Sequence, residues 1–274
     1  MKLTFLGTGT SVGVPQMRCS CPTCTSADPR DKRMRCSAMV QMAPDTPAIL
    51  IDCGPDFRMQ MLGQGSPDLA CALLTHTHYD HVGGIDDLRP YCYEFPDHHF
   101  PLFCQPNVAT DLRNRIPYCF AKVLYPGVPT FKITEIERDA FMVDVSGYGP
   151  VEVIPLPVMH GKIHIVGYRI GPLAYITDCS EMPPAITLER LRGVDTLVVN
   201  ALRALPHPSH MTLGQALEVI AAVKPRQAYL THMSHDTPPH AQAELALPPG
   251  VHYAYDGLTI FIDDPDRRTT GQRG

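Results

Sequence analysis

Thr75-His76-Thr77-His78-Tyr79-Asp80-His81 packs three imidazoles and a carboxylate into one short stretch of chain. The string follows the apolar run Ala70-Cys71-Ala72-Leu73-Leu74 and precedes Val82-Gly83-Gly84-Ile85, so the potential ligands sit together on a single turn. His76 and His78, two apart, can face one metal ion. Asp80 and His81, as the chain bends into a helix, can face a second. Imidazole nitrogen and carboxylate oxygen suit Zn²⁺, Mn²⁺ or Fe²⁺, and geometry rather than raw affinity selects among them.

The 274 residues, 44% of them hydrophobic, are ample for a buried core. Short β-rich runs are predicted over 2–6, 37–42, 48–52, 71–74, 151–155, 165–170, 173–177, 196–199, 227–231 and 258–262. Helical patterns at 55–62, 108–116, 187–191 and 212–223 separate several of them. In the last, Leu213, Ala216, Leu217, Ile220 and Val223 share a face, and Thr212 with Gln215 stands in capping-box positions. Strands in blocks with helices between and around them indicate an α/β chain of two sheets covered by helices, a four-layer arrangement. No Pro/Gly linker divides it, so one domain is expected over 1–263, with 264–274 a frayed polar tail.

No apolar run approaches the roughly 18–20 residues that cross a bilayer, and the start is too short in apolar residues for a secretory signal. A cytoplasmic protein that meets no membrane is therefore expected. The net charge of −5 argues against a dedicated nucleic-acid binder.

Ten cysteines in such a chain point to metal binding or reactive thiols rather than disulfides. Only Cys19-Ser20-Cys21-Pro22-Thr23-Cys24 has suggestive spacing. It lies in an irregular stretch, 14–36, that has no helical or strand period and that something must hold in place. Cys36, Cys53, Cys71, Cys92, Cys104, Cys119 and Cys179 read as core or reduced surface thiols. Arg18, Arg30, Lys32, Arg33 and Arg35 crowd around the loop; they read as solvated charges, with contact to a substrate phosphate the alternative.

The His-x-His-x-Asp-His string resembles the signature of the metallo-β-lactamase superfamily, and the resemblance spans nearly the whole chain. Leu6-Gly7-Thr8-Gly9-Thr10-Ser11 resembles its opening strand and glycine turn, and Ile51-Asp52-Cys53-Gly54 its second motif. The implied fold is an αββα sandwich with a dinuclear metal site at one edge of the sheets. The resemblance implies His76, His78 and His160 on one metal, Asp80, His81 and His232 on the other, and Asp178 as the bridge. Zn²⁺ and Mn²⁺ are both compatible. Asp52 reads as an outer partner that orients a ligand, because metal-site histidines need one.

A structural Zn²⁺ takes four sulfur or nitrogen ligands. Cys19, Cys21 and Cys24 supply three, and His235, three residues after His232, is the candidate fourth. This loop resembles one branch in particular, the cyclic-phosphate phosphodiesterase of the carbon–phosphorus lyase pathway and its relatives. There, and in transfer-RNA 3′-processing nucleases, a His before the capped helix contacts the scissile phosphate; His210 has the matching position and His207 competes.

The resemblance thus implies a dinuclear hydrolase of small cyclic ribosyl or nucleotide-like phosphodiesters, acting through a metal-bridging hydroxide. Asp80 and His210 are its candidate catalytic residues. Polynucleotide is demoted, because 140–149, the most plausible insertion, is not rich in Lys or Arg. Alternatives are a hydrolase of esters or thioesters, a cofactor-biosynthesis relative of the pyrroloquinoline-quinone type, and a non-enzymatic metal or redox-binding protein. A homodimer stays open, since no self-complementary stripe is readable.

Overall fold

Strand residues alternate between two faces, and in most strands here both faces are apolar. In a computed structural model describing residues 1–263, the strands in chain order begin with β1 (Lys2–Gly7), β2 (Ser37–Gln41), β3 (Ala48–Ile51), β4 (Leu69–Leu73), β5 (Phe100–Cys104), β6 (Phe131–Glu135) and β7 (Phe141–Val145). They continue with β8 (Gly149–His160), β9 (Ile163–Ile170), β10 (Leu173–Ile176), β11 (Thr196–Asn200), β12 (Gln227–Thr231), β13 (Val251–Tyr253) and β14 (Thr259–Phe261). One sheet has the order β14-β1-β2-β3-β4-β5-β6 and the other β13-β12-β11-β10-β9-β8-β7. The frayed tail expected over 264–274 lies outside the described residues.

The alternation builds the layers. Phe5, Ile49, Leu73, Tyr168, Tyr175 and Val198 meet between the sheets. The opposite face of the first sheet, with Leu50, Ala72 and Leu102, is covered by Phe57 and Met61 of helix Phe57–Gly63 and by Val108 and Leu112 of helix Pro106–Arg115. On the second sheet, Leu197 and Leu230 pack under Ala216 and Val219 of helix Leu213–Val223. The four-layer αββα arrangement is the one expected.

Four strands were not expected: β5, β6, β7 and β13. Pro101 argues against a strand at β5, yet the pairing of β4 with β5 involves only Leu102 and Phe103, so that proline interrupts no bond on that side. Residues 140–149, expected as an insertion, are instead the edge strand β7 and its turn into β8, with Val143 and Val145 buried in the central core. The strand expected over 151–155 runs on to His160 through Pro155 and Pro157. Pairing with β7 stops at Val153, so beyond it these prolines, still in register with β9, have no strand on the β7 side; their carbonyls accept from Arg190 and Thr187.

The capping box forms as predicted: Thr212 Oγ1 accepts from Gln215 N, and Gln215 Oε1 accepts from Thr212 N. Just before it, Met211 N donates to Cys179 O and Leu202 N donates to Met211 O. These bonds pin residue 210 beside the end of β10.

Candidate active site

In both sheets the C-terminal ends of parallel strands point to the same edge. β3 and β4 run parallel, as do β10, β11 and β12. Asp52 follows β3, Asp178 lies just beyond β10, His232 follows β12, and His160 ends β8. Asp52, Asp178 and His232 have φ of 62°, 57° and 58°, a left-handed conformation that is uncommon outside glycine. Such strain costs about 1–3 kcal/mol per residue and clusters where side chains must be aimed.

After β4 the chain passes through Thr75, His76 and His78 into the short helix Tyr79–Val82. Two glycines let this turn close. A Cβ on Gly54 would lie 2.1 Å from Asp80 O, and one on Gly84 would lie 2.0 Å from Gly54 O. No side chain fits at either place.

The expected ligands converge. Ligand atoms of His76, His78 and His160 lie within 4.8 Å of one another, and so do those of Asp80, His81, Asp178 and His232. Asp178 also shares a set with His160 and His210, so its carboxylate joins the two halves. Its Oδ2 is 3.2 Å from His81 Nε2 and its Oδ1 is 3.2 Å from His232 Nε2. Asp80 Oδ2 is likewise 3.2 Å from His81 Nε2. All of these side chains are buried except that of His78, which faces solvent.

The nitrogens facing away from the centre have partners. His81 Nδ1 is 2.7 Å from Asp52 Oδ2, His160 Nδ1 is 2.6 Å from Ser209 O, and His76 Nδ1 is 3.0 Å from Thr75 Oγ1. Asp52 thus contacts one imidazole of the set and also accepts from Thr75 N and Oγ1 within the turn. The nitrogens facing inward do not: His76 Nε2, His81 Nε2 and His210 Nδ1 are buried without a hydrogen bond. For His81 the two carboxylate oxygens are close enough for attraction but off the line of a hydrogen bond. Buried polar atoms are nearly always satisfied, so this convergence fits divalent metal ions.

The charge states agree. Burial, only partial at His78 and there helped by His160, holds His76, His78 and His232 below the ordinary imidazole range, leaving neutral nitrogen donors. Burial alone would raise the carboxylates, but His232 and His81 outweigh it at Asp178 and His81 does so at Asp80, so both stay ionised. His81 is the exception: against its burial, Asp178, Asp80 and Asp52 pull its pKa well up. The cage draws positive charge to its centre.

A second cluster forms from Cys19, Cys21, Cys24 and His235, whose ligand atoms also lie within 4.8 Å of one another. His235 Nδ1 is 3.3 Å from Cys19 Sγ and 3.5 Å from Cys21 Sγ. The Cys24 amide, followed by weaker help from His235 against burial, lowers the Cys21 pKa to about 6. The irregular stretch carries a short helix, Pro22–Thr25, and Thr23 Oγ1 donates to Thr237 O at 2.7 Å, so it is docked on the segment that follows His232. The other seven cysteines are buried thiols.

Of the basic residues around this loop, Arg18 and Lys32 are exposed as expected, whereas Arg33 corrects the expectation of a solvated charge. Arg33 is 4% exposed, and its guanidinium donates to Thr8 Oγ1 and Ala254 O beside His240. Arg30 pairs with Asp28 and Arg35 with Asp56. Arg33 ties the loop to the residue after β1, and Arg35 ties it to the start of helix Phe57–Gly63.

Of the two competing histidines, His210 reaches the cage: its Nδ1 is 3.6 Å from Asp178 Oδ1. His207 packs behind it at 5.1 Å between rings, with its Nδ1 against Ser209 N and Oγ. Burial and then His232 push the His210 pKa down to about 3, so its ring is a neutral hydrogen-bonding group at physiological pH. Two residues at the cage were missed in the sequence. Thr10 Oγ1 lies 3.2 Å from His232 Nε2, and Thr177 Oγ1 lies 2.6 Å from Asp178 Oδ2. The signal was there for Thr177: Thr75-His76, Thr177-Asp178 and Thr231-His232 each set a threonine before a ligand at a strand end.

Residues 48–233 match the family model described as the beta-lactamase superfamily domain. The chain belongs to the metallo-β-lactamase superfamily. A solved structure titled as a new diphosphatase from the PhnP family superposes with a TM-score of 0.85 at 37% identity, covering 96% of this chain and 98% of that one. Among curated proteins, an octanoyltransferase of Porphyromonas gingivalis is 41% identical over 96% of this chain. The chain spans only 52% of that relative's length. A coenzyme PQQ synthesis protein B of a Methylobacterium species is 34% identical, with 96% of this chain and all of the relative aligned. Members of this superfamily characteristically bind divalent metals and hydrolyse their substrates, and the cage described here is built for the first task. Among the described residues no helix is long and apolar enough to cross a membrane.

Proposed function

We propose that the chain is a metal-dependent hydrolase of small phosphodiesters, of the cyclic ribosyl or nucleotide-like kind. The observation that carries the reading is the shared carboxylate: Asp178 joins the two ligand sets and has His210 Nδ1 3.6 Å from its Oδ1. In this reading His76, His78 and His160 hold one divalent ion, Zn²⁺ or Mn²⁺, and Asp80, His81 and His232 hold the other, with Asp178 between them. Ions so placed polarise a phosphoryl oxygen and lower the pKa of a bound water toward neutrality.

The chain's own residues do the rest. Asp52, Thr75 and the Ser209 carbonyl hold the ligating imidazoles in orientation. His210, neutral and poor in competing contacts, offers a hydrogen bond to charge developing on the phosphoryl or leaving oxygen. Asp80 supplies negative charge in the set with His81, Asp178 and His232.

The structure titled as a PhnP-family diphosphatase supports phosphorus–oxygen cleavage, at 37% identity over nearly the full length of both chains. Small substrates are favoured over polynucleotide because three of the five basic residues of the cysteine loop, Arg30, Arg33 and Arg35, are engaged internally by Asp28, Thr8 and Asp56. Cys19, Cys21, Cys24 and His235 are proposed to hold a structural zinc, and ten free thiols suit the reducing cytoplasm.

The relative named octanoyltransferase favours a second reading, hydrolysis of an acyl ester or thioester, although that activity belongs to a protein about twice as long. The assay that separates the two gives the metal-loaded chain bis-p-nitrophenyl phosphate, a panel of cyclic and linear phosphodiesters, and p-nitrophenyl octanoate. The proposal expects chelator-sensitive cleavage of diesters and no cleavage of the octanoate. Cleavage of the octanoate with the diesters untouched overturns it.

A further inference from the structure

Thr177 is 1% exposed and touches two members of the cage from behind. Its Oγ1 donates to Asp178 Oδ2 at 2.6 Å and lies 3.5 Å from His232 Nδ1, at the long end of hydrogen-bond range. A hydroxyl has one proton, and an ionised carboxylate only accepts. The proton therefore goes to Asp178. Toward His232 the hydroxyl has only lone pairs to offer, which places the imidazole proton on Nδ1. His232 Nε2 then keeps its lone pair, with Thr10 Oγ1 and Asp178 Oδ1 each 3.2 Å away.

The hydroxyl is itself held. Cys36 Sγ lies 3.6 Å from Thr177 Oγ1, 3.1 Å from Tyr175 Oη and 3.3 Å from Thr231 Oγ1, in a polar pocket between the sheets. Burial pushes the Cys36 thiol up to about 11, so it adds no charge beneath the cage. The other enclosed histidines of the cage depend on different outer groups: His76 on Thr75, His81 on Asp52 and His160 on the Ser209 carbonyl.

We propose that Thr177 is a positioning residue that fixes the tautomer of His232 and the rotation of Asp178 together, and so sets the metal affinity of the Asp80, His81, Asp178 and His232 half of the centre. This rests on the reading that the half binds a metal, and is independent of which bond the enzyme cleaves. Loss of the hydroxyl then acts unevenly, weakening one half while leaving the three-histidine set and the cysteine cluster loaded.

The test titrates zinc into the full chain against a competing chelator. Thr177→Val, close in shape but without the hydroxyl, is expected to lose about 10–100-fold in affinity at one zinc equivalent, the usual effect of removing an outer partner. The remaining equivalents should bind as in wild type, and Thr177→Ser should restore the lost affinity. Wild-type affinity at every equivalent in Thr177→Val overturns the proposal. Should the valine variant not fold, the wild type still decides the matter: ¹⁵N-resolved imidazole NMR of the zinc-free chain should show His232 carrying its proton on Nδ1. A proton on Nε2 overturns the proposal. Diester cleavage with unchanged zinc affinity in Thr177→Val refutes this inference alone, and lowered affinity in a chain that cleaves no diester refutes the functional reading alone.

Discussion

His81 Nδ1 lies 2.7 Å from Asp52 Oδ2, with both residues fully buried. The bond ties the end of β3 to the ligand turn after β4, and Asp52 Oδ1 also accepts from Thr75 N at 2.8 Å. Fixing Nδ1 leaves Nε2 of His81 to face the centre. Asp52→Asn keeps the shape but removes the charge that holds the imidazole. It is expected to weaken metal binding by about 10–100-fold, the range for outer-shell partners. Chelator competition checks this, and unchanged affinity would show that the pair serves only the fold.

Gly84 tests the turn itself. A methyl there would meet Gly54 O at 2.0 Å and Phe57 Cβ at 2.9 Å, and neither can swing aside. Gly84→Ala should destabilise the chain at or above the upper end of the about 1–3 kcal/mol typical of overpacking. Denaturant unfolding measures it; wild-type stability would mean that the turn has slack.

His210 stands at the edge of the cage with an inward nitrogen that has no hydrogen bond. His210→Ala should lower diester turnover by about 10²–10³-fold, as removal of one aligned hydrogen-bond donor does, with metal content unchanged. Since the group is neutral, its loss should leave the alkaline side of the pH–rate profile in place. Turnover equal to wild type would remove His210 from the reaction.

The cysteine loop gives a pH prediction. Donation from the Cys24 amide lowers the Cys21 thiol to about 6. A thiolate is the reactive form, and its fraction grows as pH rises through the pKa. In chain stripped of zinc, alkylation of Cys21 should therefore rise through about pH 6 and level off near neutrality. Zinc should protect it. A midpoint near that of an ordinary thiol, or no protection by zinc, would contradict the assignment of this cluster.

The ligand turn, the layers and the capped helix were legible because each carries a dense local pattern. The string from His76 to His81 needs no tertiary context, and neither does the Thr212–Gln215 cap. What was hidden depends on neighbours. Pro155 and Pro157 break a strand pattern until one sees that β7 ends at Val153 and leaves them a free side. Arg33 reads as a surface charge until Ala254 and Thr8 close over it. The resemblance put His210 ahead of His207, but the backbone bonds that seat it, with Met211 held between Cys179 and Leu202, were beyond the sequence.

The central claim is that the two ligand sets joined by Asp178 form one metal centre that cleaves phosphodiesters. The most direct measurement titrates Zn²⁺ or Mn²⁺ into metal-free chain while following both bound metal and hydrolysis of bis-p-nitrophenyl phosphate. The account predicts no hydrolysis without metal, little while the cysteine cluster fills, and a rise to full rate as two further equivalents bind. Full rate in the stripped chain, or no hydrolysis with both further equivalents bound, would contradict it.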